Sequence, residues 1–402
     1  MFARHWIARL VLALVALPLC LWSAPRPHRR RRWRPPLTTV MYIVNQPDSI
    51  ASFAAHADEV SIAAPQSFVL DAAGFVGGNI PDQVLAVARA HHVALMPLVV
   101  NRGFSQPLMR TLLDSRASRA RAIRYLLYLA QRDGDIGFQF DLEHIYYTYR
   151  RQYTEFFREA AIAFHRHHLI LSAAVVGRLP GESAGSAPQG GYANWGGVYN
   201  YRGIARWANF ISLMAYPQHG GFSGPGAVAG YDWVNRLLAY ARARIPAGKL
   251  SLGVPIYGVE WTPRARPRAE AAGYGDGSTP PGPAPVGWSV HGVSFSDVAT
   301  LLANPDPQAG AITRRWDALS RSHYLVVPGP NGPGQVWYAD AAGLQQELVL
   351  LRRYRLTSLS AWRLGSEDPA IWPLLRRDFR IRHPRPPRLR GTFDQRSEWA
   401  AR

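Results

Sequence analysis

The sequence predicts a closed barrel of eight parallel strands wrapped by helices, with a small α+β insertion between strands seven and eight. Three observations carry this prediction. Eight short apolar segments alternate with helical patterns over residues 38–376, and right-handed strand–helix–strand crossovers stack the helices outside one sheet. The alternation breaks once, where about one hundred residues separate Ile256 from Thr357. Asp141 and Glu143 close the fourth segment, at the strand end where such barrels carry their chemistry.

The predicted strands are 39–45, 59–64, 93–100, 136–141, 169–176, 210–216, 250–256 and 357–362. Helical patterns fill 47–56, 81–91, 115–132, 149–168, 231–244 and 341–354. Phe68-Val69-Leu70-Asp71 and Phe75-Val76, around Ala73-Gly74, read as a small hairpin after the second strand. The insertion, at about 259–340, contains a Pro/Gly-rich loop (263–287), a helix near 294–303 and strands near 322–327 and 334–338. It would form one wall of a groove. Residues 377–402 are basic and Pro-containing and read as a poorly ordered tail.

The N-terminus is organised differently. Residues 1–9 are basic, and Leu10 to Ala24 is mostly apolar. That run is short for a membrane span and about right for a signal-peptide core, so residues 1–24 read as an export signal or uncleaved anchor. Residues 25–37 form a Pro/Arg-rich linker. Cys20, the only cysteine, lies in the apolar run. The body from residue 38 therefore has no disulfide and no thiolate metal site.

Composition narrows the function classes. The chain has 402 residues, and an apolar content of 48% suffices for a large core. The formal net charge is +19, yet Lys249 is the only lysine and the arginines cluster at 26–34 and 376–396. Arginine-only usage concentrated at the ends argues against a nucleic-acid surface. A basic exterior still suits anionic cell-envelope polymers or lipid headgroups.

The segment Ile136-Gly137-Phe138-Gln139-Phe140-Asp141-Leu142-Glu143 organises the rest. Side chains alternate faces along a strand, so Gln139, Asp141 and Glu143 share one face and Phe138, Phe140 and Leu142 the other. An isolated x-Asp-x-Glu is equally compatible with a hydrated strand edge. Inside a barrel, two such acids would push their pKa values apart, leaving one ionised and one protonated near neutrality.

Taken in order, several segments resemble glycoside hydrolase family 18. They are the strand-four motif, Phe210-Ile211-Ser212-Leu213-Met214-Ala215-Tyr216, Leu252-Gly253-Val254-Pro255-Ile256-Tyr257-Gly258, and Trp362 at the end of the eighth strand. Tyr42-Ile43-Val44-Asn45, Pro65-Gln66, Pro97 and Ala361-Trp362-Arg363-Leu364-Gly365-Ser366-Glu367-Asp368-Pro369 are similar to its bacterial spore-germination and cell-wall branch. Of the family pattern Asp-Gly-x-Asp-x-Asp-x-Glu, Gly137, Asp141 and Glu143 match. Ile136 replaces the first acid and Gln139 the middle one, and Pro217 stands where an acid usually follows the strand-six tyrosine.

The resemblance implies a retaining glycosidase acting on β-linked N-acetylglucosamine polysaccharide, either peptidoglycan or another envelope glycan, with chitin as the alternative substrate. It implies Glu143 as general acid and Asp141 as the group that orients and stabilises the substrate's reacting acetamido group. Tyr216 would donate to the acetamido carbonyl. Trp362 would be the floor beneath the sugar, with Gln139, Met214, Tyr257, Asn101 and Asn45 as further substrate contacts. No metal or cofactor is implied. A non-catalytic, lectin-like or structural envelope protein on the same barrel is the competing reading. The expected setting is an exported monomer at the bacterial envelope, with residues 1–24 as a possible membrane attachment and no nucleic-acid partner.

Overall fold

A computed structural model of the chain describes residues 34–184, 191–264, 287–304 and 310–384, and the backbone at 271–272 and 282–283. Strands β1 (Pro36–Ile43), β2 (Ile62–Leu70), β3 (Leu98–Asn101), β4 (Gly137–Asp141), β5 (Ile170–Val176), β6 (Phe210–Met214), β7 (Leu250–Pro255) and β8 (Ser358–Trp362) pair in chain order. All of these pairings are parallel, and β8 returns to β1 to close the barrel. Helices Pro47–Ala55, Asp82–Ala90, Arg116–Asp133, Arg150–Arg166, Tyr231–Arg242 and Ala341–Arg353 lie in the crossovers, as the helical patterns predict.

Two hydrophobic layers follow from strand alternation. Outside, Phe138 and Phe140 of β4 meet Phe156, Phe157 and Phe164 of the helix that follows. Inside, Val40, Tyr42, Ile62, Ala64, Met96, Leu98 and Trp362 form a separate cluster. The third strand is split, because Pro97 lacks the amide hydrogen needed to continue the ladder; Ala94–Leu95 pairs with the start of β2, and pairing resumes at Leu98. Past its barrel portion, β2 continues into the predicted hairpin and pairs antiparallel with Val76–Gly78.

The insertion is a five-stranded antiparallel sheet. Its order is Trp288–Val293, Gly258–Pro263, Gly334–Tyr338, Ser322–Val327 and Thr313–Asp317. Helix Phe295–Ala303 packs on one face, its Val298 against Leu325, Val336 and Tyr338. The first, second and fifth of these strands were not predicted. Thr313–Asp317 is an exposed edge with charged residues on both faces, so it shows no apolar alternation. Helices Gln106–Asp114, Tyr201–Trp207 and Ile371–Asp378 also escaped prediction; the last two, at seven and eight residues, span only about two turns. Most of the expected loop 263–287 falls outside the described residues.

Both ends of the barrel extend past their expected boundaries. β1 begins at Pro36, inside the expected linker, and the expected tail from 377 begins with ordered chain. The reason is mutual: Pro36 and Leu37 pair in parallel with Arg380 and Ile381, satisfying backbone groups at the barrel's edge. The export signal or anchor expected at 1–24 lies outside the described residues, as does 385–402. Among the described residues, no helix is long and apolar enough to cross a membrane.

Gly137 is the tightest point of the frame. Its φ is +151°, and a Cβ there would sit 1.8 Å from the carbonyl oxygen of Ile170 on the neighbouring strand. Gly137→Ala should therefore destabilise the fold by about 3 kcal/mol or more. Chemical denaturation followed by circular dichroism measures this, and a loss under about 1 kcal/mol would contradict the assignment.

Candidate active site

The inward face of β4 carries Gln139 and Asp141, and Glu143 follows two residues beyond the strand. Gln139 is fully buried, Asp141 is 5% exposed and Glu143 is 8% exposed. Among the described residues neither carboxyl has an ion-pair partner. Asp141 Oδ1 is buried with no hydrogen-bond partner in the protein. Burial alone raises the Asp141 pKa to about 7. Glu143 is held well above the usual carboxylate range, first by burial and then by the nearby charge of Asp141. The two titrate as a pair, with the first proton leaving near neutrality.

Asn101, at the end of β3, fixes the Glu143 backbone. Its Oδ1 accepts from the Glu143 amide at 2.9 Å, and its Nδ2 donates to the Glu143 carbonyl at 3.0 Å. Asn101 is 1% exposed, and its amide clamps the Glu143 backbone from both sides. Behind the strand, the Tyr199 hydroxyl donates to the Leu142 carbonyl at 2.9 Å. The chain then turns at His144, whose φ is +53°. Its ring stacks on Trp195 at 4.5 Å, and its Nδ1 lies 2.7 Å from the Phe104 carbonyl.

Gln139 lies deeper in the barrel and is hydrogen-bonded through both ends of its amide. Its Oε1 accepts from the Tyr42 hydroxyl at 2.7 Å, and its Nε2 donates to Ser172 Oγ and Ser212 Oγ, each at 3.0 Å. Ser212 continues to Ser360 at 2.8 Å, and Ser360 to Ser251 at 2.6 Å. This network crosses the barrel interior from β1 to β8 and engages both the carbonyl and the amino group of Gln139. Only an amide offers two donors and an acceptor at that point. The network was not predicted. Its trace in the sequence is one inward serine in each of the otherwise apolar strands β5, β6 and β7 and at Ser360 of β8.

The remaining expected residues converge on the same end of the barrel. Ser212, Met214 and Tyr216 alternate inward along and just past β6. Tyr216 is half-buried, and its pKa is pushed up by burial and by Tyr42, Asp141, Tyr257 and Glu143 around it. Its ring meets Tyr257 edge-on at 6.5 Å. Trp362 is tilted against Tyr42 at 5.6 Å, and both tyrosines, 216 and 257, pack on the cluster containing it. The Tyr216–Pro217 and Trp362–Arg363 peptide bonds are cis. Asn45 stands apart from this group, exposed beside a cleft at the end of β1 and the middle of β2. Tyr42, Tyr199 and Trp195 were not anticipated as site residues; the last two come from a segment with no periodic signal.

The buried pair has a stability consequence. The folded pKa of Asp141 lies above its unfolded value, so its proton is held by the folded state as pH rises. Stability is therefore full below about pH 4, declines between there and about pH 7, and stays reduced above. Asp141→Asn should raise stability at pH 8 by on the order of 1–4 kcal/mol and change it little at pH 4. Melting curves at the two pH values test this; equal effects at both would refute the burial cost.

Comparison with known proteins agrees with this architecture. The family model for glycosyl hydrolases family 18 matches residues 52–368. The cortical fragment-lytic enzyme of Bacillus subtilis (strain 168) is 28% identical over 302 residues, covering 74% of this chain and 62% of that protein. The uncharacterized glycosylase YvbX of the same organism is 22% identical over 344 residues, covering 84% of this chain and 90% of its own length. This chain thus spans under two thirds of the first relative and most of the second. Among solved structures, the Bacillus megaterium QM B1551 spore cortex-lytic enzyme SleL superposes with a TM-score of 0.73 at 19% identity, covering 88% of this chain and 76% of that one. A chitinase from Chromobacterium violaceum ATCC 12472 superposes at 0.70 with 21% identity, covering 85% and 98%. Barrel topology and a family match across most of the chain lead to one assignment: the protein belongs to the glycosyl hydrolases family 18.

Proposed function

We infer that the protein cleaves β-linked N-acetylglucosamine-containing glycan of the bacterial cell wall, with Glu143 as general acid and the substrate's own acetamido group as nucleophile. The observation that carries this is the Asp141–Glu143 pair, buried without a cation beside the Tyr216 hydroxyl. A carboxyl kept protonated near neutrality is what donation to a glycosidic oxygen requires. In the first step the Glu143 proton passes to the leaving oxygen as the C1–O bond breaks. The acetamido carbonyl oxygen closes on C1, giving an oxazolinium. Ionised Asp141 stabilises its positive charge through the acetamido nitrogen, and Tyr216 steadies the acetamido group through its hydroxyl. Water then opens the ring at C1 and returns a proton to Glu143. Two inversions give net retention.

Trp362 supplies an apolar surface for a sugar face, with Met214 and Tyr257 beside it. The cortical fragment-lytic relatives favour peptidoglycan over chitin, and action on that polymer would place the protein at the envelope. A role in sugar binding without cleavage is the competing reading, and retention of both carboxyls with Tyr216 argues against it.

The protein should release reducing ends from purified peptidoglycan, and Glu143→Gln should lower the rate at least about 10³-fold while glycan binding persists. The acid limb of kcat/KM should have its midpoint near pH 7, where Asp141 loses its proton. Binding without release by the unmodified protein would establish the lectin-like reading. A preference for chitin oligomers would replace the substrate.

A further inference from the structure

The end of β1, the middle of β2 around Pro65–Ser67 and the chain leaving the hairpin at Gly78–Pro81 line an open cleft. Its position relates it to the catalytic centre: Val44, on its wall, belongs to the same cluster as Trp362. Its lining is unlike that around Trp362. It carries the amides of Asn45, Gln66 and Asn79 and the Ser67 hydroxyl, without an aromatic ring or a charged side chain among the described lining residues.

These amides are poorly used by the protein. Among the described residues, no protein hydrogen bond is present for the side chains of Asn45 or Gln66, and Asn79 makes one long bond, to the Ile80 carbonyl at 3.3 Å. Ser67 Oγ is buried and also lacks a partner. The backbone is shaped to present them. The β2–β3 register shifts between Gln66 and Phe68, a bulge that re-aims the side chains there. Opposite, Gly78 has φ +110°, and a Cβ would lie 2.0 Å from the Ser67 carbonyl oxygen, so the hairpin can approach only as glycine.

A primary amide offers a donor and an acceptor side by side, matching the same pair on another amide. With no lining charge, a carboxylate or ammonium entering the cleft would lose water without compensation. An unbranched sugar chain is gripped best by aromatic faces, which this cleft lacks. We propose that the cleft is a specificity subsite for a neutral, amide-bearing branch on the glycan, chemically the lactyl-amide link by which a peptide is attached to a muramyl sugar. This rests on the glycosidase reading above and deepens it: Gln66 and Asn79, with Asn45, would make the enzyme read the branch as well as the sugar backbone.

The test uses three substrates: peptide-bearing glycan strands, the same strands after amidase treatment, and N-acetylglucosamine oligomers. Amidase hydrolyses the lactyl amide, releasing the peptide as its free amine and leaving a shorter branch that ends in a lactyl carboxylate where the amide stood. The protein should prefer the peptide-bearing strand over the carboxylate strand by about tenfold or more in kcat/KM. Gln66→Ala with Asn79→Ala should bring that ratio to within about twofold of unity. Gln66→Glu, which preserves size, should lower the rate on the carboxylate strand further. Equal rates on both strands for the unmodified protein, or a fall on all three substrates together in the variants, would overturn the subsite. In Glu143→Gln protein, calorimetric binding of the two strands gives the same comparison without turnover. Selective binding without cleavage would then refute only the catalytic reading, and cleavage without selectivity only the subsite.

Discussion

The structure is governed by the cost of holding two carboxyl groups out of water with no cation to balance them. Burial disfavours the charged form of an acid, and both pKa values are raised: Glu143 well above the usual carboxylate range and Asp141 to about 7, so the pair gives up its first proton near neutrality. Burial alone would leave them free to swing toward solvent. The Asn101 clamp on the Glu143 backbone and the Tyr199 bond to Leu142 remove that freedom by fixing the main chain that carries them. Rigidity is built into the backbone, and the side chains are left available for chemistry.

Gln139 shows how a departure from a family pattern is accommodated physically. An acid in its place would bring a third carboxyl into the same interior. The amide instead distributes two donors to Ser172 and Ser212 and accepts from Tyr42, joining β1, β4, β5 and β6. Asp141 thereby loses a neighbour with which to exchange a proton, and its Oδ1 has no protein partner. Proton exchange within the site falls to Asp141 and Glu143 alone.

Most of the barrel was legible because its strands are buried on both faces and read as apolar runs between helical periods. The inward placement of Asp141 and Glu143 followed from alternation along a single strand. Asn101 shows where such reasoning stops. Its position at a strand end was evident, but whether its amide meets a ligand or the main chain depends on a loop that returns forty residues later. Tyr199 and Trp195 arise from a segment without periodicity. The insertion's edge strand is charged on both faces, and the three missed helices, at seven to nine residues, offer only two turns or so over which a period could show. The serine network was hidden differently: each serine is unremarkable in its own strand and acquires meaning only when closure brings six strands to one axis.

The pairing of Pro36 and Leu37 with Arg380 and Ile381 has a geometric consequence. Because β1 runs from that pairing toward the site, the first and last described segments both leave the barrel at the pole opposite the catalytic mouth. The strand ends that carry Asp141 and Glu143 are thereby left clear of both of these segments, and the approach of a long polymer to them is not crossed by the chain at 34–37 or 380–384.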